Sequence, residues 1–309
     1  MPPELLTSNR ENMAGSKTPI YTAFAANMAI AIVKFIAAFS TGSSAMASEG
    51  IHSLVDTSNE ILLLVGLRNS RKKPDAARPF GYGKELYFWA FVVSLLFFAL
   101  GGGLSIYEGY HHLQHPEAIK NPVWNYVVLG LALLFDGYSL LTAVREFNRQ
   151  RGETPFWKAV RKSKDPSTFV VLFEDAADVI GILLATVGIT LSLLWKNPYM
   201  DGIASIMIGL LLTAVAVFLV RESRSLLMGE ALEPVELQQV VDLVMQNEGV
   251  CYVDKPLSMY QGPDEVILFI KIKFKERLES QAVVDTIQHL RRDLQDKYPQ
   301  YKHIFFEPI

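Results

Sequence analysis

Six long apolar stretches dominate the pattern of hydrophobic and polar positions along the chain. They lie near residues 18–40, 46–67, 87–111, 122–144, 168–195 and 199–220. Each could form a helix that crosses a hydrocarbon core of roughly 30 Å, which takes about 20 residues. The breaks between them carry turn signals, such as Thr41-Gly42-Ser43-Ser44 and Asn197-Pro198. The pattern therefore predicts an α-helical membrane domain of six spans over residues 18–224.

The pattern changes in the last part of the chain, residues 225–309. Pro234 opens an amphipathic helix, a strand is predicted around 250–259, and apolar and basic residues alternate over 268–275. A second amphipathic helix follows, and Ile304-Phe305-Phe306 forms a last strand. The order α-β-β-α-β predicts a small ferredoxin-like α+β domain. The polar residues 1–17 lack the features of a signal peptide and are predicted to form a mobile cytoplasmic tail.

Loop charge predicts the orientation of the spans. The loops after spans two and four hold thirteen basic residues: Arg68, Arg71, Lys72, Lys73, Arg78, Lys84, Arg145, Arg149, Arg151, Lys158, Arg161, Lys162 and Lys164. Both loops and both termini are therefore expected on the cytoplasmic side. The net charge of −3 gives no reason to expect nucleic acid, and the single Cys251 excludes an intrachain disulfide and a cysteine-rich metal site.

Span two carries ionisable groups that are costly in a bilayer. His52 and Asp56 are four residues apart, so they lie one above the other on one helix face, and Asn59 continues that face. Imidazole nitrogen and carboxylate oxygen are common ligands of Zn²⁺ and its first-row neighbours. This spacing indicates a candidate metal site.

Span five carries three acids, Glu174, Asp175 and Asp178, which share one flank of a helix at 100° per residue. At about 1.5 Å per residue, Asp56 lies about 18 Å in from the basic end of span two. Asp175 and Asp178 lie about 16 and 21 Å in from Lys164, the last basic residue before span five, by the same rise. The two acidic clusters are therefore expected at one depth.

The alternative is structural ion pairing inside the bundle. Lys34 in span one could pair with one of these acids, or with Glu60 or Asp136. The acids outnumber this one lysine, so neutralising them requires protons or a metal ion from outside. We therefore favour a function in metal binding and transport.

Long motifs resemble the cation diffusion facilitator family of metal transporters. Span two contains His52-Ser53-Leu54-Val55-Asp56, preceded by Gly42-Ser43-Ser44-Ala45-Met46, and Arg78-Pro79-Phe80-Gly81-Tyr82-Gly83-Lys84 matches the loop that follows. The resemblance implies a homodimer in which spans two and five bind the metal. It further implies that protons exchanged at those ligands drive export. Zn²⁺ is the first expected substrate, ahead of Mn²⁺, Fe²⁺ or Co²⁺, with H⁺ as counter-ion and no permanently bound cofactor.

Span five departs from the pattern of this family, which has His or Asp, three residues and then Asp. Measured back from Gly181, the sequence offers Val171 and Asp175, whereas Glu174 and Asp178 supply the same spacing in another register. In this respect the chain is similar to the divergent branch that includes mitochondrial zinc transporter 9. The expected ligands are His52, Asp56, Asp175 and Asp178, with Glu174 as an alternative and Asn59 as a further candidate.

Two other classes of function are alternatives. A membrane metalloenzyme is disfavoured because the chain has no H-E-x-x-H motif, so we expect no enzymatic activity. A non-transporting scaffold or regulatory subunit is compatible with the irregular motif of span five. The bacterial inner membrane is the expected location.

Overall fold

The computed structural model describes residues 18–275 and 278–309, with side chains described from Asn27 onward; the predicted tail lies outside these residues. The predicted fold class is confirmed: six long helices are followed by a small domain of helices on a sheet. The helices are α1 (Thr18–Thr41), α2 (Ser44–Ser70), α3 (Lys84–Gln114), α4 (Val123–Arg151), α5 (Phe156–Lys162), α6 (Pro166–Leu194), α7 (Tyr199–Met228), α8 (Pro234–Met245) and α9 (Ser280–Lys297).

Four helices, α3, α4, α6 and α7, are both long and apolar enough to cross a membrane. The part of α1 whose side chains are described, Asn27–Thr41, is apolar but shorter. Helix α2 has 27 residues, so at 1.5 Å per residue it is about 40 Å long. Its polar residues lower its mean hydropathy, and these are the residues that the sequence singles out as a candidate site.

The chain forms two compact units, each described here by itself. The first contains the described residues up to Ile61 together with Leu96–Arg145 and Leu172–Ala216. Its core is apolar and includes Met46, Phe97, Ile182, Ile208 and Leu212.

Glycines let helices α3 and α7 approach closely within this unit. A Cβ at Gly109 would lie 2.7 Å from the carbonyl oxygen of Gly202, and one at Gly209 would lie 2.8 Å from that of Gly102. No larger side chain fits there, and small residues at such interfaces are typical of membrane helices. Gly102 belongs to a π-helical stretch of α3, Phe97–Gly103.

Asp201 at the start of α7 caps the start of α2. Its carboxylate accepts hydrogen bonds from the backbone N–H of Ser44 (2.6 Å) and of Ala45 (3.4 Å), and from the hydroxyl of Ser43 (2.8 Å). The first N–H groups of a helix have no partner within it, and the helix dipole favours negative charge there. Asp201 is fully buried, so it holds this end of α2 in a defined place.

The second unit contains Leu62–Leu95, Glu146–Val171 and Val217–Ile309. Its sheet consists of β1 (Val250–Val253), β2 (Leu257–Gly262), β3 (Glu265–Phe274) and β4 (His303–Pro308). Strands β1 and β2 are antiparallel to β3, and β4 is parallel to it.

The predicted strand around 250–259 divides into β1 and β2, so the observed order is α-β-β-β-α-β. Val253 pairs with Ile272 and Leu257 pairs with Phe269, so the two strands follow one another along β3. The interruption includes Pro256, which has no N–H to donate to a neighbouring strand. The one predicted strand is therefore two strands that pair with successive parts of β3.

The core of this domain follows the predicted periodicity. Leu268, Ile270 and Ile272 of β3 are buried, while Phe269 and Lys271 between them are exposed. Their buried partners come from α8 (Leu237, Val240, Val244) and α9 (Leu290, Leu294). Helix α8 begins with Pro234 after Glu233, which forms a capping box with Glu236.

The loop between α2 and α3 is organised around Asp75. The hydroxyl of Tyr82 donates to Asp75 Oδ2 (2.6 Å), and the N–H groups of Ala77 and Arg78 donate to Oδ1 (2.9 and 2.8 Å). These bonds, that from Tyr82 first, lower the pKa of the Asp75 carboxyl, and the same bond raises the pKa of Tyr82. The guanidinium of Arg78 lies 4.5 Å from the centre of the Tyr82 ring.

Replacing the buried cap should destabilise the first unit. We expect Asp201→Ala to lower the free energy of unfolding by about 2 kcal/mol, because it leaves buried donors of α2 without an acceptor. Thermal unfolding of the purified protein in detergent checks this. Glu117→Ala, at an exposed acid, is the matched control and should change little. Equal unfolding temperatures for the two variants would contradict the capping role.

Candidate metal site

Three of the predicted ligands converge between α2 and α6. His52 Nδ1 lies 3.3 Å from Asp56 Oδ2, and His52 Nε2 lies 3.0 Å from Asp178 Oδ1. One ligand atom from each of the three residues lies within 4.8 Å of the others. Across residues 18–275 and 278–309, no other group of three or more His, Cys, Asp or Glu side chains is arranged in this way.

A ladder of contacts aligns the two helices. Along α2 the contacts run from Glu49 through His52 to Asn59, and along α6 their partners run in the reverse order. Glu49 lies against Gly181, where a Cβ would be 2.5 Å from Glu49 Oε1. Asn59 Nδ2 donates to Glu174 Oε1 (2.7 Å) at the other end. The absence of a side chain at Gly181 therefore lets α6 come close enough for Asp178 to reach His52.

The convergent atoms lack ordinary hydrogen bonds. Although the imidazole and carboxylates are near one another, both nitrogens of His52, both carboxylate oxygens of Asp56 and Oδ1 of Asp178 are buried without a hydrogen-bond partner among the described residues. An uncompensated buried polar group costs about 1–3 kcal/mol, and more if it is charged. A cation or protons bound here would remove that cost.

The other predicted ligands are placed outside this cluster. Glu174 accepts a hydrogen bond from Asn59, and Asp175 Oδ2 accepts a hydrogen bond from Ser139 Oγ of α4 (2.8 Å). On a helical wheel Asp175 and Asp178 lie about 60° apart, so the two side chains point to different neighbours. The structure thus brings together His52, Asp56 and Asp178, and does not bring Asp175, Glu174 or Asn59 to them.

The arrangement supplies one imidazole and two carboxylates from two helices. Zn²⁺ takes four ligands at about 2.0–2.2 Å from nitrogen and oxygen, and sites that exchange a ligand keep one position for water or another group. Three protein donors leave that position open. Such a site can hold a divalent ion and still release it.

Lys34 and Glu49 form a buried ion pair beside this cluster. Lys34 Nζ lies 3.1 Å from Glu49 Oε2, donates to Ser53 Oγ (2.7 Å) and lies 3.9 Å from Asp136 Oδ2. Of the partners expected from the sequence, Asp136 is near Lys34, and Glu49 is an additional partner that was not expected. Glu49 precedes His52 by three residues, and that helical spacing is the signal that could have found it.

Glu60 instead accepts a hydrogen bond from Asn27 Nδ2 (2.8 Å), which joins α1 to α2. Glu60 therefore pairs with Asn27 and not with Lys34, the partner expected from the sequence.

The ring of Phe97 contacts the imidazole of His52. The ring centres are 5.3 Å apart in an edge-on arrangement, and Phe97 is fully buried. Phe97 also begins the π-helical stretch of α3, and such stretches are frequent at functional sites. No periodicity in the sequence marks this contact, because a phenylalanine in an apolar span carries no distinguishing signal.

Comparison with known proteins identifies the family of the chain. The sequence pattern of the cation efflux transmembrane domain matches residues 20–228. The mitochondrial proton-coupled zinc antiporter SLC30A9 of Mus musculus is 33% identical over 254 residues, which cover 82% of this chain and 45% of that protein. The chain spans about half the length of the zinc antiporters that it matches.

Two further relatives differ in name and coverage. Metal tolerance protein C4 of Arabidopsis thaliana is 31% identical over 280 residues, covering 90% of this chain and 60% of that protein. The manganese efflux system protein MneP of Bacillus subtilis (strain 168) is 20% identical over 305 residues, covering 97% of each.

The match to the transmembrane domain extends from the first described helix to the last residue of α7, and so includes every residue of the candidate site. It also agrees with the resemblance found in the span-two motif and with the relatives at 31–33% identity. The chain is therefore a multi-pass membrane protein that belongs to the cation efflux family of transporters.

Proposed function

We propose that this protein exports a divalent transition metal ion in exchange for protons, and that Zn²⁺ is its preferred substrate. The observation that carries the proposal is the convergence of His52, Asp56 and Asp178 from two membrane helices, with their ligand atoms within 4.8 Å. The mixed nitrogen and oxygen donors suit zinc and its neighbours. The name of the antiporter at 33% identity supports the same ion.

Protons and metal compete for the same three side chains. Metal binding requires a neutral imidazole and ionised carboxylates, so protonation of the ligands weakens binding. Protons that enter from the side to which the metal is released can therefore displace the ion from the site. This exchange couples export to an inward proton gradient without a separate proton pathway.

Transport proceeds by alternating access of the site to the two sides of the membrane. A hydrated ion from the cytoplasm exchanges water for the three ligands and leaves on the other side as they take up protons. Asp175 and Glu174 lie one turn or less from Asp178 towards the start of α6, which the loop charges place on the cytoplasmic side. Glu174 is positioned to receive the ion before Asp178 and to supply the fourth ligand, whereas Asp175 is bonded to Ser139 of α4.

The protein acts as a homodimer in the lipid bilayer with both termini in the cytoplasm. The location in a bacterial inner membrane stays a prediction. The relatives at 31–33% identity are mitochondrial or plant proteins and do not support it, whereas MneP belongs to a bacterium. Charge asymmetry of the loops is the support for the orientation.

Substitutions of single acids should distinguish the metal ligands from a neighbouring acid that does not bind the metal. Asp178→Ala and Asp56→Ala should reduce zinc flux into proteoliposomes by at least about a hundredfold, because each removes one of the two carboxylates among the three ligands. Asp175→Ala, three residues from Asp178 but bonded to Ser139, is the matched control and should retain flux within about tenfold. Undiminished transport by Asp56→Ala and Asp178→Ala, with normal folding, would contradict the assigned site. An absence of flux in the unaltered, folded protein would instead favour a scaffold or regulatory subunit.

Metal binding should release protons from the purified protein. We expect zinc affinity, measured by titration calorimetry in buffers of different ionisation enthalpy, to weaken as the pH is lowered. The sign follows because the protonated forms of His52, Asp56 and Asp178 cannot bind the ion. The number of protons released should fall in His52→Ala. Zinc binding that is independent of pH and releases no protons would argue against antiport at shared ligands.

Manganese is the second candidate substrate. Two of the three convergent ligands are carboxylates, which suit harder ions, and MneP is named as a manganese efflux protein. His52→Asp should raise the ratio of Mn²⁺ to Zn²⁺ flux several-fold, because it replaces the one nitrogen donor by oxygen. Flux assays with Zn²⁺, Co²⁺, Mn²⁺, Fe²⁺ and Ni²⁺ check both the order of substrates and this change. An unchanged ratio would show that His52 does not set the preference.

A further inference from the structure

A second polar cluster lies beside the metal site and already contains a positive charge. Lys34 of α1 is fully buried, and its ammonium group faces Glu49 Oε2 at 3.1 Å, Ser53 Oγ at 2.7 Å and Asp136 Oδ2 at 3.9 Å. An ammonium group has three donors, and here three oxygens from α2 and α4 surround it. The cluster thus has the form of an oxygen-lined cation site filled by the chain itself.

The charges of this cluster do not balance within it. Glu49 is fully buried like Lys34, and Asp136 is mostly buried, so one ammonium group faces two carboxylates. The second carboxylate oxygen of Glu49, Oε1, has no hydrogen-bond partner among the described residues and is buried against Gly181. Even with the lysine in place, this cluster is an attractive environment for positive charge.

The cluster is connected directly to the candidate metal ligands. Ser53, which accepts the hydrogen bond from Lys34, follows His52 in the chain, and Glu49 precedes His52 by three residues on the same helix. Gly181, against which Glu49 packs, follows Asp178 by three residues. A cation bound between Glu49 and Asp136 would therefore lie close to the transported ion.

We propose that Lys34 is a tethered counter-cation. Its ammonium group occupies a monovalent-cation site formed by Glu49, Ser53 and Asp136. Lys34 thereby excludes free cations such as Na⁺ from that position and confines the transported metal to His52, Asp56 and Asp178. Metal transport consequently needs no added monovalent cation. This inference rests on the proposed transport function and assigns a positioning role to a residue outside the ligand set.

The physical basis is the cost of an unpaired buried charge. Removing one partner of a buried ion pair is strongly destabilising because the other partner remains in a medium that solvates it poorly. In Lys34→Ala, the space left by the side chain and the oxygens of Glu49 and Asp136 should admit a small cation, since such oxygens are the usual ligands of hard ions. A variant without the lysine should therefore depend on an ion that the natural protein does not need.

The experiment measures zinc flux into proteoliposomes at one fixed alkaline pH on both sides. Sodium chloride is replaced stepwise by choline chloride, so that ionic strength is constant and only the size of the cation changes. Four proteins are compared with the unaltered chain: Lys34→Ala, Lys34→Arg, the double variant Lys34→Ala with Glu49→Gln, and Ile36→Ala. Ile36 is on the same helix but exposed, and its variant is the matched control.

The expected result is a sodium dependence confined to Lys34→Ala. Its flux should be at least about tenfold below that of the unaltered chain in choline and should recover with Na⁺. The double variant should recover in choline, because it removes the carboxylate that Lys34 neutralises. The unaltered chain, Ile36→Ala and Lys34→Arg should not respond to Na⁺, since Lys34→Arg keeps the charge.

Thermal unfolding in detergent gives a readout that does not require transport. Sodium should raise the unfolding temperature of Lys34→Ala and leave that of the unaltered chain unchanged. If Lys34→Ala unfolds at the same temperature with and without Na⁺ and its flux is equally insensitive, whether retained or lost, the proposal is overturned. In that case Lys34 only stabilises the packing of α1 against α2 and α4 through its ion pairs.

Failure of the transport function is distinguishable from failure of this inference. If the unaltered chain carries no metal under any condition, the proposed function fails, and the unfolding measurement still tests the cation site. If the unaltered chain transports zinc and Na⁺ has no effect on Lys34→Ala in either measurement, only the tethered counter-cation is rejected.

Discussion

The contact between His52 and Asp178 is the interaction on which the rest of the site depends. It joins α2 to α6 at 3.0 Å, and both side chains are buried beside the apolar core of the first unit. Polar groups are costly there unless they are paired or bind an ion. The neighbouring features serve this contact: Gly181 admits α6, Phe97 covers the imidazole, and Asn59 holds Glu174 one turn away. The side chains that align α2 with α6 are therefore also the ones that are suited to bind a metal ion.

The fold class and the span-two part of the candidate site could be predicted from the sequence for simple physical reasons. Helical spacing alone places His52 and Asp56 on one face, and the length of apolar stretches alone indicates the spans. The choice among the acids of span five could not be made in the same way. Glu174, Asp175 and Asp178 share one flank, so their partners depend on how α6 is rotated against α2 and α4, and packing at Gly181 determines that rotation. The family spacing favoured Asp175, whereas the structure brings Asp178 to His52.

Two other differences arise from interactions that hydrophobic periodicity does not report. Glu49 stands in the same stretch as His52, but its pairing with Lys34 depends on the approach of α1 to α2. In the C-terminal domain, the sequence predicts one strand around 250–259, whereas the structure has two, β1 and β2, separated by a stretch that includes Pro256, whose backbone has no N–H donor. Periodicity reports which face of an element is buried and leaves open which neighbour buries it.

The cap that Asp201 places on α2 has a mechanical consequence for a transporter of this kind. Because the carboxylate of α7 holds the N–H groups of Ser44 and Ala45, the first turn of α2 cannot slide along its axis or rotate without breaking buried hydrogen bonds. Farther along α2, the contacts to α1 and α6 are made by side chains and do not hold the backbone of the helix. A helix that is pinned at one end behaves as a lever, and His52 and Asp56 lie two and three turns from its pivot. A small tilt of α2 about Ser44 therefore displaces Asp56 farther than His52. The distance to Asp178 of α6 then changes more for Asp56 than for His52.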